Sequence, residues 1–189
     1  MPTPRPPKTP RHSLTIMQGI PGSGKSTWAW TKQREVNHRR VAQETAFALF
    51  SPTPPEPEVI ITSRDDLRSG LYNMYYGGTI DEKFIKDTQI NIVSRALALG
   101  KSVIIDDTNL RAATIELWQL TAQTFAVPFR IKQMPMHTGM DVHRAFEQNE
   151  QRDKVVPREE IQRMFEEFHD VVNQMAIKNL DLDPSTYID

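Results

Sequence analysis

The stretch SLTIMQGIPGSGKSTW, residues 13–28, restricts the possible folds of this chain more than any other. SLTIMQ is a short, largely apolar run with a period of two and reads as a strand. The residues after it satisfy G-x-x-x-x-G-K-[ST], with Gly19, Gly24, Lys25 and Ser26 in place. Glycines let successive backbone N–H groups turn into one concavity, and the helix that starts near Lys25 aims its positive end there, so an anion is the natural occupant. A glycine-rich turn that merely caps a helix would not explain why Lys and Ser follow the last glycine directly after a strand. In a nucleoside triphosphate site the loop residues Gly22, Ser23, Gly24, Lys25, Ser26 and Thr27 surround the phosphates. Lys25 reaches the β- and γ-phosphates, and the Ser26 hydroxyl takes one position on Mg²⁺.

The chain has 189 residues, which suits one domain with a substantial core. A formal net charge of −1 gives no general attraction to nucleic acid or to an anionic membrane, so any polyanion must be gripped locally. Cysteine is absent, which removes disulfides and thiolate chemistry and suits a reducing compartment. No apolar stretch approaches the roughly 20 residues that span a bilayer, and the N-terminus lacks a signal-peptide core. A soluble cytoplasmic protein without membrane partners is expected.

Along the chain, residues 1–13 carry five prolines and three basic residues and read as an extended arm. Residues 14–180 read as one domain and 181–189 as a tail. A long helix follows the phosphate-binding loop, ending in the proline-rich loop SPTPPEPE at 51–58. VIITS at 59–63 is the second strand, RDDLRSGLYNMYYGGTI begins as helix, and helical spacing runs from Asp81 to Leu99, with Gly100 as its stop. KSVIIDDTN gives a third strand, 112–126 a helix, and FRIKQMP a fourth strand. Near-continuous apolar strands alternating with helices predict an α/β fold: a parallel sheet of four or five strands with helices on both faces. Ligands in such sheets sit beyond the carboxyl ends of the strands.

Chemistry-bearing residues stand at those ends. SRDDLR follows the second strand, and Asp65 and Arg68 are three apart, on one helix face. A carboxylate there can accept the proton of an attacking hydroxyl while the guanidinium holds a phosphate. DDTN closes the third strand. Asp106 suits a magnesium site, and Asp107 can instead face an acceptor and orient Arg68. Alternation sends the two carboxylates to opposite sides, and the sequence leaves open which does which. Residues 143–158 form a charged segment with Arg144, Arg152 and Lys154, expected as a lid that carries Arg152 onto the transferring phosphoryl group. An amphipathic helix with Ile161, Met164, Phe165, Phe168, Val171 and Val172 follows. His137 and His143 lie off the spacing of a helical metal pair, and Trp28, Trp30 and Trp118 are expected to pack rather than stack on bases.

GIPGSGKSTWA, SRDDLR, IIDDTNL, VVPREEI and MFEEF, in that order, resemble the 5′-kinase domain of phage-type polynucleotide kinases from about residue 14 to about 180. The resemblance implies an adenylate-kinase-like P-loop fold in which ATP, with Mg²⁺, donates its γ-phosphate to 5′-hydroxyl ends of DNA or RNA, single-stranded ends above all. Carried over by motif, it implies Lys25 and Ser26 on ATP and Mg²⁺, Asp65 as general base, and Arg68 on the acceptor's phosphate. It further implies Asp107, with Thr108 and Asn109, on the acceptor side, and Arg152 as the lid arginine. A repair role in a bacteriophage, in the host cytoplasm, and self-association belong to the same implication. The segment 33–58 is longer than in that family, Asp106 replaces a small polar residue, and the phosphatase domain that often follows is not in this sequence. A kinase acting on another hydroxyl, such as a modified DNA base, a nucleoside or a small molecule, shares all these residues. A motor-type or regulatory ATPase, or a nucleotide-binding module without turnover, shares the loop but has no obvious use for SRDDLR.

Overall fold

β1 (Leu14–Gln18) is buried along its whole length, because it has a parallel partner on each side. The computed structural model describes residues 12–49, 57–75, 77–135, 139–152, 154–177 and 188. Four strands pair among them: β1, β2 (Val59–Thr62), β3 (Ser102–Ile105) and β4 (Phe129–Gln133), in the order β2-β3-β1-β4 and all parallel. The phosphate-binding loop leaves the centre of this sheet, and the segments after β2 and β3 emerge beside it. The proline-rich arm over 1–11, the loop over 51–56, His137 and the tail over 178–187 lie outside the described residues. The tail's one described residue, Ile188, donates its amide to the Ile131 carbonyl of β4 at 3.1 Å.

Helices cover both faces, as near-continuous apolar strands require. α3 (Glu82–Ala98) and α4 (Ala112–Thr124) pack Val93, Ala96, Leu97, Ile115, Trp118 and Ala122 against Leu14, Ile16, Val103 and Ile105. On the other face α1 (Lys25–Leu49) seats Ala29 and Val36 against Met17, Val59 and Ile104. α5 (Gly139–Glu150) and α6 (Arg158–Ile177) close a third cluster of Ile20, Leu110, Ala145, Ile161 and Phe168 beside the loop. No helix among the described residues is long and apolar enough to cross a membrane.

Local chemistry explains most boundaries. Ser63 caps α2 (Arg64–Tyr72), accepting from the Asp66 amide at 3.3 Å, and Asp81 caps α3 through the Phe84 amide at 2.9 Å. α2 is shorter than the sequence pattern suggests: Asn73 adopts a left-handed backbone with φ 54° and ends it well before Gly77. In α3 the helical spacing is right, but Phe84 and Ile92 face solvent while the polar Gln89 is buried. Trp118 packs in the core as expected and Trp28 packs partly, whereas Trp30 stands exposed and packs against none of the clusters.

β2 is an edge strand, and α1 satisfies its first residue. Asn37 Nδ2 donates to the Val59 carbonyl at 3.1 Å, its Oδ1 accepts from the Val59 amide at 3.0 Å, and Gln33 Nε2 adds a second donor to that carbonyl at 3.1 Å. The long α1 thus blocks the position where another strand would add. Replacing Asn37 by Ala orphans a buried amide and should cost about 1–3 kcal/mol in urea unfolding, with Gln33→Ala costing less because Asn37 still holds the carbonyl. Equal losses for the two variants would contradict this account.

Candidate active site

The Lys25 amine is the centre of the site. Gly22 and Gly24 take positive φ of 80° and 88°, which lets the chain curl around the Lys25 side chain before α1 begins. A Cβ on Gly22 would stand 2.1 Å from the Ala145 carbonyl of α5, so this glycine is also where α5 seats on the loop. Lys25 is only 9% exposed, and its Nζ donates to the Ile20 carbonyl at 2.8 Å. Burial lowers its pKa from 10.5 to about 8; Asp106 opposes that fall, Arg152 adds to it, and Asp107 and Asp65 oppose it more weakly. Four side chains predicted from sequence therefore act on one amine. The Ser23 hydroxyl is buried beside it without a partner among the described residues, and Thr27 is exposed on the first turn of α1.

The two carboxylates after β3 part, as strand alternation requires. Asp106 turns to the loop, where the Ser26 hydroxyl bonds to it, and burial holds its carboxyl above the usual range despite that bond and the Lys25 charge. Its Oδ1 is buried with no partner among the described residues. A buried carboxylate oxygen left open beside a serine hydroxyl fits a hard divalent cation that takes its remaining ligands from phosphate and water. Ser26 and Asp106 are the residues that would hold Mg²⁺. Among the described residues no group of three or more His, Asp or Glu gathers into a metal cage.

Asp107 turns the other way, but not to Arg68. Its Oδ1 accepts from the Arg64 amide at 2.9 Å, and its Oδ2 from Arg64 Nε at 3.1 Å and Gln89 Nε2 at 2.9 Å. The expected Asp107–Arg68 pairing is thus replaced by an Asp107–Arg64 clamp that fixes where α2 starts. Arg64 gives its backbone amide and Nε to that clamp, and Gln89, unforeseen because a polar residue in an apolar stripe reads as solvent-facing, completes it. Asn109 also departs from the substrate-facing expectation. It is 2% exposed, with φ 46°, and its Nδ2 donates to the carbonyls of Met17 at 2.7 Å and Asp107 at 3.1 Å. Asn109 clips the β3 loop to β1, and its Oδ1 is buried without a partner among the described residues. Thr108 is half-buried beside it, and its carbonyl accepts from the Gly19 amide at 3.1 Å.

Across the crevice, the first turn of α2 carries Asp65 and Arg68. Asp65 Oδ1 accepts from Arg68 Nη1 at 2.7 Å, and its Oδ2 from Lys154 Nζ at 2.6 Å. Arg68 also forks onto Glu82 at the start of α3, Nε to Oε1 at 2.8 Å and Nη2 to Oε2 at 2.7 Å. Neighbouring Asp66 has its carboxyl pushed up, first by burial and then by Asp65 and Asp107. Lys154 lies over the Tyr75 ring at 4.7 Å. The sequence placed Lys154 in a basic segment without giving it a partner. Glu82, in the first turn of α3, carried no reading from the sequence.

Residues 143–150 belong to α5, with Val142, Ala145 and Asn149 buried. Asn149 then holds the loop that follows, its Nδ2 on the Val156 carbonyl at 2.8 Å and its Oδ1 on the Val156 amide at 3.1 Å. That hold carries Lys154 to Asp65 and leaves Arg152 near enough to act on Lys25.

A strand, a glycine loop around a buried lysine, and a serine–aspartate pair at the end of β3 define the class of domain, and the sequence profile of one family covers it from residue 14 to residue 171. The chain belongs to the AAA_33 family, described as an AAA domain. Its architecture is that of a P-loop kinase-like α/β domain. Among curated proteins no relative matches this AAA_33 chain. Of solved structures, a chain of the Pnkp1/Rnl/Hen1 RNA repair complex superposes with TM-score 0.61 at 22% identity, covering 86% of this chain and 46% of that one. Kti12 of Chaetomium thermophilum, solved with ADP-AlF3, superposes with TM-score 0.54 at 18% identity, covering 85% of this chain and 79% of that one. The AAA_33 chain spans about half the length of the first of these. At such identities the likeness is one of fold.

The depressed Lys25 sets a pH signature. Between pH 8 and 10.5 the unfolded chain holds a proton here that the folded one has released, so unfolding takes up a proton and stability rises with pH. The burial penalty is fully present below pH 8 and lifts across that window. Lys25→Met lacks it, so the difference in unfolding free energy, wild type minus variant, should move in favour of wild type between pH 7 and 10. Denaturant titrations giving a pH-independent difference would show that the amine is not desolvated.

Proposed function

We propose that this domain transfers the γ-phosphoryl group of ATP to the 5′-hydroxyl of DNA or RNA ends. The observation that carries the reading is the Asp65–Arg68 pair, set on one helical turn opposite the loop, with the Asp65 charge felt at Lys25. A nucleotide hydrolase needs an acid that activates water but no guanidinium beside it to hold an acceptor. The order of the motifs in the sequence supports a polynucleotide acceptor. The fold shared with a chain of an RNA repair complex supports the architecture such a kinase needs.

In this reading the loop amides and Lys25 hold the β- and γ-phosphates, and Arg152 adds positive charge from the α5–α6 loop. Mg²⁺, bound by Ser26 and Asp106, would neutralise charge on the phosphates. Asp65 is poised as base but occupied: Lys154 sits on the oxygen that an acceptor hydroxyl would need. Entry of the acceptor exchanges Lys154 for the hydroxyl. The proton passes to the Asp65 carboxylate as the acceptor oxygen bonds to the γ-phosphorus and the bond to ADP breaks. Arg68 steadies the next phosphate along the strand, and Asp107 acts indirectly by fixing α2 through Arg64.

One observation favours a different acceptor. Arg68 is already forked by Glu82, which suits an alcohol that brings no phosphate of its own. Parallel reactions with γ-labelled ATP and 5′-hydroxyl oligonucleotides, nucleosides, hydroxymethyl-containing DNA and no acceptor separate the readings. Label should appear on the oligonucleotide terminus, and Asp65→Asn should lower its rate roughly 10²–10⁴-fold while nucleotide affinity stays near wild type. Free labelled phosphate without any labelled acceptor would make the domain a hydrolase instead.

A further inference from the structure

Arg68 shares the first half of α2 with Asp65, and all three of its nitrogens are engaged. Nη1 is on Asp65, while Nε and Nη2 form a two-point fork on Glu82 at 2.8 and 2.7 Å. That fork is the edge by which a guanidinium takes a phosphate, with the same planar, bidentate geometry. The edge toward Asp65 cannot be given up without losing the base's neighbour. A phosphate that takes Arg68 by this two-point edge must exchange with Glu82.

We infer that Glu82 is a specificity-determining residue, an internal carboxylate that occupies the phosphate seat on Arg68 until an acceptor bearing a suitably placed phosphate displaces it. Three features support exchange rather than a fixed structural bridge. The Glu82 side chain is 57% exposed while that of Arg68 is 15% exposed, so the carboxylate has solvent to swing into and the guanidinium stays in place. Glu82 is the first residue of α3, whose cap is Asp81, so the helix start does not depend on the Glu82 carboxylate. The Arg64 charge also acts on the Glu82 carboxyl, giving it a cation nearby once it leaves Arg68.

Chemically, the bridge sets a threshold. An alcohol without a phosphate reaches Asp65 with the Glu82 fork intact, whereas a phosphate-bearing acceptor breaks it and gains a charge-assisted fork of its own. A loosely held anion would not compete. Glu82 thus screens the Arg68 edge from every anion by the same factor, and only one held tightly enough, as by an acceptor that also sets its hydroxyl on Asp65, displaces it.

The inference rests on Asp65 and Arg68 being the acceptor-side pair, and its test does not need turnover. The Arg68 Nε–H resonance is followed by NMR as inorganic phosphate is added to wild type, Glu82→Gln and Glu82→Ala. Removing one partly exposed carboxylate competitor should lower the phosphate dissociation constant read at that resonance roughly threefold to fivefold in both variants. A constant unchanged within about twofold, or no phosphate response at Arg68 in any of the three proteins, overturns the inference. In kinetic assays with ATP, Glu82→Gln should lower KM for a nucleoside 3′-phosphate by the same factor, leave KM for the plain nucleoside unmoved, and change kcat little. An equal fall for both acceptors also overturns it. Should phosphate tighten at Arg68 as expected while no acceptor is ever labelled, the proposed kinase activity fails and Glu82 stands as an anion gate. Labelled acceptors with unchanged phosphate affinity would sink the gate alone.

Discussion

A lysine amine removed from water is the constraint around which this domain is built. Burying a charged Lys is unfavourable unless anions compensate, and here the compensation is incomplete, since Asp106, Asp107 and Asp65 do not restore the ordinary pKa. The surplus is the reason an anion belongs there. The sheet serves it by order: the loop leaves β1, and the carboxylates arrive from strands on one side of it. The order β2-β3-β1-β4 does this by placing β3 between β1 and β2, so that Asp106 lies beside Ser26 while α2 starts one strand farther out.

Around that amine the polar network divides into parts that are fixed and parts that can exchange. Asn109 clips the β1 and β3 loops together, Asp107 clamps Arg64 with the help of Gln89, and Asn149 holds the Val156 backbone. All three are buried, and each satisfies backbone that would otherwise be orphaned. The alternating line Lys154, Asp65, Arg68, Glu82 is of another kind. Its outer carboxylate is well exposed, its members come from three separate segments, and each contact can be traded for one with a ligand. Buried Asn, Gln and Asp side chains set the geometry, and the more exposed carboxylates of Asp65 and Glu82 are left to respond.

Much of this was legible from residues alone, for identifiable reasons. The glycine loop, Lys25, Ser26 and the strand before them form a local motif whose geometry is set by backbone conformations that only certain residues adopt, and the structure has them as read. The strand-end position of Asp65, Arg68, Asp106 and Asp107 followed from hydrophobic patterning, and alternation correctly sent the last two apart. What patterning could not supply was partners. Asp107 was assigned to Arg68 and lies on Arg64; Asn109 was assigned to a substrate and lies in the interior; the charged segment over 143–158 is half helix, seated on Gly22. Glu82 and Lys154 went unassigned because their partners are distant in the chain.

The sequence by itself determined a phosphate-binding loop at the end of a strand, in a parallel α/β sheet, with carboxylates and arginines at the neighbouring strand ends. Those features depend on conformations and periodicities reaching only a few residues. Tertiary structure alone decided which cation holds which anion, because ion pairs such as Lys154–Asp65 and Arg68–Glu82 join residues whose separation in the chain says nothing of their distance in space. A charged side chain pairs with whichever opposite charge the packed helices bring within reach, and that is settled by the register of helix on sheet.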